Sequence, residues 1–160
     1  MRHVVGVADM KVSANANDSL ITFALGSCLG ITLYDPATHV GALLHIMLPD
    51  SSIDPAKALQ NPWMFLDTGF SRTLDECLAA GASRERLTLK VAGGACAHGN
   101  PDEDYFQIGK RNFVMLRKIL WQQGLLIKAH DVGGSVSRTM CLELGSGEVQ
   151  LRISGVTKNL

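Results

Sequence analysis

Short apolar runs and two longer amphipathic stretches alternate along this chain. His3 to Val7 reads as a strand that Met10 to Ser13 extends, and the polar cluster of Asn15, Asn17, Asp18 and Ser19 then turns the chain. Leu20 to Phe23 and Cys28 to Tyr34 are the next two strands, separated by Ala24-Leu25-Gly26. Such a three-residue loop, ending in a left-handed glycine, predicts a hairpin. Asp35-Pro36-Ala37-Thr38 has the composition of a type I turn, with Asp first and Pro second. Val40 to Leu48 is almost continuously apolar, which predicts a strand buried on both faces. Pro49 ends it, and Asp50 to Gln60 reads as a loop.

Asn61-Pro62 predicts a helix start, because Asn caps well and Pro is preformed for the first helical position. Leu66, Phe70, Leu74, Cys77 and Leu78 follow as one apolar stripe at helical spacing, and Gly81 stops the helix. Leu87 to Val91 is a strand, followed by the glycine-rich segment from Gly93 to Gly99. A second helix covers about Lys110 to Gln123, burying Phe113, Leu116, Ile119 and Leu120, with Gly124 at its end. Leu125 to Ala129 is a strand, Asp131-Val132-Gly133-Gly134 a turn, and Thr139 to Leu144 with Val149 to Ile153 a hairpin. The order is four strands, helix, strand, helix, three strands. Strands that follow one another without helical crossovers predict an α+β layered sandwich of mainly antiparallel sheets with two principal helices. No linker or repeat interrupts it, so residues 1–160 are expected to form a single domain.

Composition narrows the function classes. The chain has 160 residues, 46% hydrophobic and 19% charged, which suits a globular protein with a real core. Lys plus Arg and Asp plus Glu number 15 each, so net charge offers no reason to invoke nucleic acid or an anionic membrane. No apolar run approaches the ~18 residues of a membrane span. Asp9 interrupts the N-terminal stretch too early for a signal peptide. The expectation is a cytoplasmic protein with free thiols at Cys28, Cys77, Cys96 and Cys141.

Cys28 and His45 are the residues that invite chemistry. The thiolate is the attacking form of cysteine, so a nucleophilic Cys28 needs a base close by. If both turns named above hold, a three-strand meander sets Thr22 opposite Cys28 and Cys28 opposite His45, all pointing to one face. A one-residue slip would turn His45 to the other face. The same residues also fit a plain core, since cysteine is often buried and a histidine in an apolar strand is often only hydrogen-bonded. Cys96 and His98, with Cys28, His45 or His130, invite a zinc reading, but their spacing is not a strong zinc pattern. Gly93-Gly94 and Gly133-Gly134 fit neither phosphate-loop nor dinucleotide spacing and read as turns. Cys77 belongs to its helix's apolar stripe, and Arg138 reads as a structural ion-pair partner in preference to a contact for carboxylates of a binding partner.

These motifs resemble the CheD family, the chemoreceptor glutamine deamidases. Thr22-Phe23-Ala24-Leu25-Gly26-Ser27-Cys28, then Tyr34-Asp35-Pro36, then His45-Ile46-Met47-Leu48-Pro49 stand in the family's order and spacing. Val7 to Ser13, Gly93-Gly94-Ala95, Ile108 to Asn112 and Asp131 to Gly134 are similar to further landmarks. Ser137 departs from the family's usual glycine, a departure that carries strain if the position needs a positive φ. The resemblance implies the cytotoxic necrotizing factor-like cysteine hydrolase fold. It also implies deamidation of glutamine side chains on methyl-accepting chemotaxis receptors, with Cys28 as nucleophile held as a thiolate by His45, His45 as base and later acid, and Thr22 orienting His45. Backbone N–H groups around Ser27 and Cys28, with Ser27 Oγ as a weaker candidate, would hold the oxyanion. No metal or organic cofactor is required by that chemistry. The resemblance implies a further partner, the phosphatase CheC. Two other readings remain open on sequence: an adaptor that binds receptor or CheC with little turnover, and another cysteine amidohydrolase on the same scaffold.

Overall fold

The computed structural model describes residues 1–96 and 100–160. Among the described residues, ten strands form two five-stranded sheets. The first has the order β1 (Arg2–Val5), β3 (Ser19–Leu25), β8 (Arg138–Glu143), β9 (Val149–Ile153), β10 (Val156–Asn159). The second has the order β2 (Asp9–Ser13), β5 (Gly41–Ile46), β4 (Leu29–Tyr34), β6 (Thr88–Gly93), β7 (Ile127–Val132). The pairs β1–β3 and β6–β7 are parallel, and every other pair in the two orders is antiparallel. The α+β expectation of mainly antiparallel sheets with two principal helices is met.

The molecule has three layers and two cores. Leu20, Leu25, Leu43, Met140, Leu142 and Leu151 fill the space between the sheets. On the outer face of the second sheet, Leu29, Ile31, Leu44 and Ile46 pack against α2 (Leu66–Ala79) and α3 (Ile108–Gln123) through Leu66, Phe70, Leu116 and Leu120. β5 is therefore buried along its whole length, which is why its sequence lacks alternation.

Several expected boundaries move. The first apolar stretch is two strands, in different sheets: the turn from Gly6 to Ala8, with Ala8 at φ 55°, carries the chain across. Asn61 caps a short 3₁₀ turn over Pro62–Met64, and α2 begins only at Leu66. The expected loop at Asp50 to Gln60 contains a short helix, α1 (Pro55–Gln60), capped by the Asp54 carboxylate. Asp131 and Val132 end β7, and the turn is left to Gly133-Gly134, both at positive φ. Leu78 sits at the edge of its stripe and stays exposed.

The two turns on which the meander rests also differ. Ala24, not Gly26, takes the left-handed conformation, at φ 57°, and β3 carries an irregularity between Thr22 and Leu25. Thr22 already has Val5 on one side and Met140 on the other, so β3 has no free edge for β4. The chain instead crosses between sheets from Leu25 to Leu29. The next loop spans Asp35 to Val40, closed by Asp35 N–H to Val40 O at 2.9 Å and His39 N–H to Asp35 O at 2.9 Å. It holds two residues more than expected, so Tyr34 pairs with Gly41 and Gly30 with His45.

Candidate active site

The crossovers β1–β2 and β3–β4 leave the first sheet at the same end of the sandwich, and Thr22, Cys28 and His45 lie there. His45 is on β5 opposite Gly30. Cys28 precedes Gly30 by two residues, so it shares its face, the one turned toward the other sheet, where it packs against the inter-sheet core. The expected direct pairing of Cys28 with His45 is thus corrected to a diagonal one, which sets Cβ atoms up to about 7–8 Å apart. A slip of two keeps side-chain parity, so the pair stays on one face. Thr22 reaches His45 from across the sandwich rather than along a shared sheet.

Hydrogen bonding defines the state of the imidazole. Thr22 Oγ1 lies 2.8 Å from Val5 O and 2.7 Å from His45 Nδ1, with all groups buried. A carbonyl only accepts, so the single hydroxyl proton of Thr22 goes to Val5 O. Thr22 Oγ1 must therefore accept from His45, which places a proton on Nδ1. Nε2 is left as a bare lone pair, and it has no hydrogen-bond partner among the described residues. Burial pulls the His45 pKa down to about 4, partly opposed by the charge of Asp9. Burial pushes the Cys28 thiol up, opposed by its own backbone N–H. Both shifts oppose a separated thiolate and imidazolium, so the charged pair that the resemblance implies needs further stabilisation.

The segment that carries Cys28 is anchored by backbone bonds. Gly94 N–H donates to Cys28 O at 2.9 Å, and Ala95 N–H to Gly26 O at 2.8 Å. A Cβ on Gly93 would come within 2.2 Å of Cys28 O, so only glycine permits this approach. Gly94 then turns left-handed, at φ 63°. Among the described residues, neither Ser27 N–H nor Cys28 N–H donates to a backbone carbonyl. Both stay available as donors beside the sulfur.

Asn112 is the site residue that spacing did not reveal. It is fully buried on α3, and its Nδ2 donates to Ser27 O at 3.0 Å and to Met47 O at 3.1 Å. One carboxamide thereby ties the residue before Cys28 to the residue two after His45. An uncharged polar side chain on the inner face of a helix, amid Phe113 and Leu116, is the available signal, since a buried amide must find partners. Arg138 braces the neighbouring strand end through Asp131 at 2.8 Å, Gly93 O at 3.2 Å and Gly133 O at 2.8 Å.

The remaining candidates stand apart. Cys77 and Cys141 are buried, and burial pushes their thiols up to about 12 and about 11. Cys96 is bonded through its backbone to Gly134 O. His98 lies outside the described residues. Among the described residues, no three His, Cys, Asp or Glu side chains gather as metal ligands would. Ser137 is not among the residues at positive φ, so serine carries no strain there.

The family model for CheD chemotactic sensory transduction matches residues 47–153. The chain belongs to the CheD family. Relatives extend the match to the segment holding Thr22, Cys28 and His45. A probable chemoreceptor glutamine deamidase CheD of Solibacter usitatus is 47% identical over 157 residues, covering 98% of this chain and 92% of that one. A probable chemoreceptor glutamine deamidase CheD 1 of Syntrophus aciditrophicus is 43% identical, covering 95% and 94%. A third, from Desulforamulus reducens, is 45% identical over 94% and 90%. In this CheD-family chain, no described helix is long and apolar enough to cross a membrane.

Proposed function

We propose that this protein hydrolyses the side-chain amide of glutamines on methyl-accepting chemotaxis receptors, releasing ammonia and leaving glutamate. The observation that carries the reading is the bare, buried Nε2 of His45, with its tautomer set by Thr22 and Cys28 on the same face. The names of the relatives support the substrate.

The groups perform the reaction in two halves. A glutamine carboxamide enters the site beside Cys28, the part-buried member of the pair. His45 Nε2 takes the Cys28 proton as Sγ attacks the carboxamide carbon. Coupling proton transfer to attack avoids building a free thiolate in a site where burial disfavours it. The tetrahedral oxyanion is held by the N–H groups of Cys28 and Ser27. The imidazolium gives its proton to the amide nitrogen, the C–N bond breaks and ammonia leaves. Water then gives a proton to Nε2 and attacks the thioester carbon. The C–S bond breaks, and the imidazolium returns a proton to sulfur.

The cytoplasm, where receptor signalling domains and reduced thiols coexist, is the compartment we assign. A CheC-type phosphatase is the second partner we assign, competing with receptor for this surface. The decisive experiment incubates the protein with receptor cytoplasmic domains and maps the peptides by mass spectrometry. Wild type converts specific glutamines to glutamate, and Cys28→Ala does not. Conversion by the Cys28→Ala protein refutes the nucleophile, and binding without ammonia release by wild type identifies an adaptor.

A further inference from the structure

His45 has a neighbour on its other side. Asp9 of β2 is its direct cross-strand partner in an antiparallel pair, so the two side chains leave the same face. The strand order β2-β5-β4 puts the imidazole between the Asp9 carboxylate and Cys28. Thr22 sets the tautomer of His45 but contributes no net charge. The proton transfer of the acylation step puts a positive charge on the fully buried imidazole of His45, and an uncompensated cation there is costly.

We propose that Asp9 is a positioning residue of the active site, acting through His45 as the counter-charge that stabilises the imidazolium formed when Cys28 gives up its proton. The carboxylate lies beside the imidazolium and farther from the negative charge that develops at Cys28 and the attacked carboxamide, so the favourable interaction outweighs the repulsion. Asp9 is held in place by Gly6 N–H at 3.2 Å and by Lys11 Nζ at 3.1 Å. The Gly6 bond fixes it within the β1–β2 crossover, and Lys11 partly offsets its charge. Its side chain is 35% exposed, so solvent moderates its effect.

Among the described residues of the strands packed beside His45, no other charged side chain faces the imidazole. β3 presents the neutral Thr22, and β1 the carbonyl of Val5. β4 presents Gly30, which has no side chain, and Cys28. The α2 helix and the Pro62–Met64 turn lie on the opposite face of β5, behind Leu44 and Ile46. The same Asp9 charge acts on the imidazole against the effect of burial.

The inference rests on the Cys28–His45 reading, and thiol alkylation separates the two without needing a receptor. The rate of Cys28 carbamidomethylation by iodoacetamide is followed from pH 5 to 10 by peptide mass spectrometry, with Cys77 and Cys141 as buried internal controls. Asp9→Asn keeps an oxygen for Gly6 N–H but removes the charge. It is expected to slow Cys28 alkylation near neutral pH by about three- to tenfold. Asp9→Glu restores the rate to within about twofold, and Lys11→Met, which frees the carboxylate, raises it above wild type. A wild-type profile in Asp9→Asn overturns the proposal, as does slowing in Lys11→Met. If His45→Gln also leaves the profile unchanged, the Cys28–His45 pair fails with it. A response to His45→Gln but not to Asp9→Asn removes Asp9 alone. Exposure of Cys77 or Cys141 in Asp9→Asn marks loosening of the fold, and a rate then not recovered by Asp9→Glu counts against the role.

Discussion

Thr22 Oγ1 and His45 Nδ1 are 2.7 Å apart, yet they belong to different sheets. That single bond spans the sandwich and sets which nitrogen of His45 carries the proton. Because Thr22 donates to Val5 O, it cannot also donate to His45, and Nε2 is left as the base.

Replacing Thr22 by valine preserves shape but removes the acceptor for Nδ1–H and the donor to Val5 O. The tautomers of His45 then compete, and receptor deamidation is expected to fall by about 10²- to 10⁴-fold in kcat. Thr22→Ser retains the hydroxyl and most of the rate. Ammonia release with receptor fragment at saturation measures both.

Asn112→Ala leaves Ser27 O and Met47 O without their shared donor, at a cost of about 1–3 kcal/mol in unfolding free energy. Asn112→Asp is worse despite its equal size, because a carboxylate faces two carbonyls and can donate to neither when ionised. Denaturant melts should rank wild type, then Asn112→Ala, then Asn112→Asp. The Asp variant recovers in part on acidification, when protonation restores one donor.

Gly93→Ala places a Cβ against the Cys28 carbonyl in a backbone at φ 111°. The strand carrying the nucleophile has to move. Deamidation should drop at least as strongly as stability, whereas Gly81→Ala, with open space around its Cβ, should lower stability through φ strain alone and leave kcat unchanged.

Stability should depend on His45 between about pH 4 and 6.5. The folded protein holds His45 neutral down to about 4, while the unfolded chain takes up a proton near the ordinary histidine value of 6.5. Over that window the unfolded state binds more protons, so stability falls as pH falls. At 1.36 kcal/mol per pH unit, the loss approaches roughly 3 kcal/mol. His45→Gln should flatten this part of the curve, with the carboxylates, including Asp35 paired to Arg86, still acting below pH 4. Chemical denaturation at a series of pH values checks it.

Much of this protein is legible in residues 22 to 49 alone. The apolar run at β5 and the presence of a turn at Asp35-Pro36 are local features, and the strand and buried-face assignments follow from local sterics and hydrophobic periodicity, whereas the type and length of the turns do not. The side-chain period of two also kept Cys28 and His45 on one face despite a two-residue error in loop length. Tertiary structure alone decided that β3 and β4 lie in different sheets. Which edge a strand pairs with depends on competitors far along the chain, and here Val5 and Met140 occupy both edges of β3 around Thr22. Asn112 and Asp9 come to this region for the same reason: packing α3 against β4 and pairing β2 with β5 create proximities that no spacing in the sequence encodes.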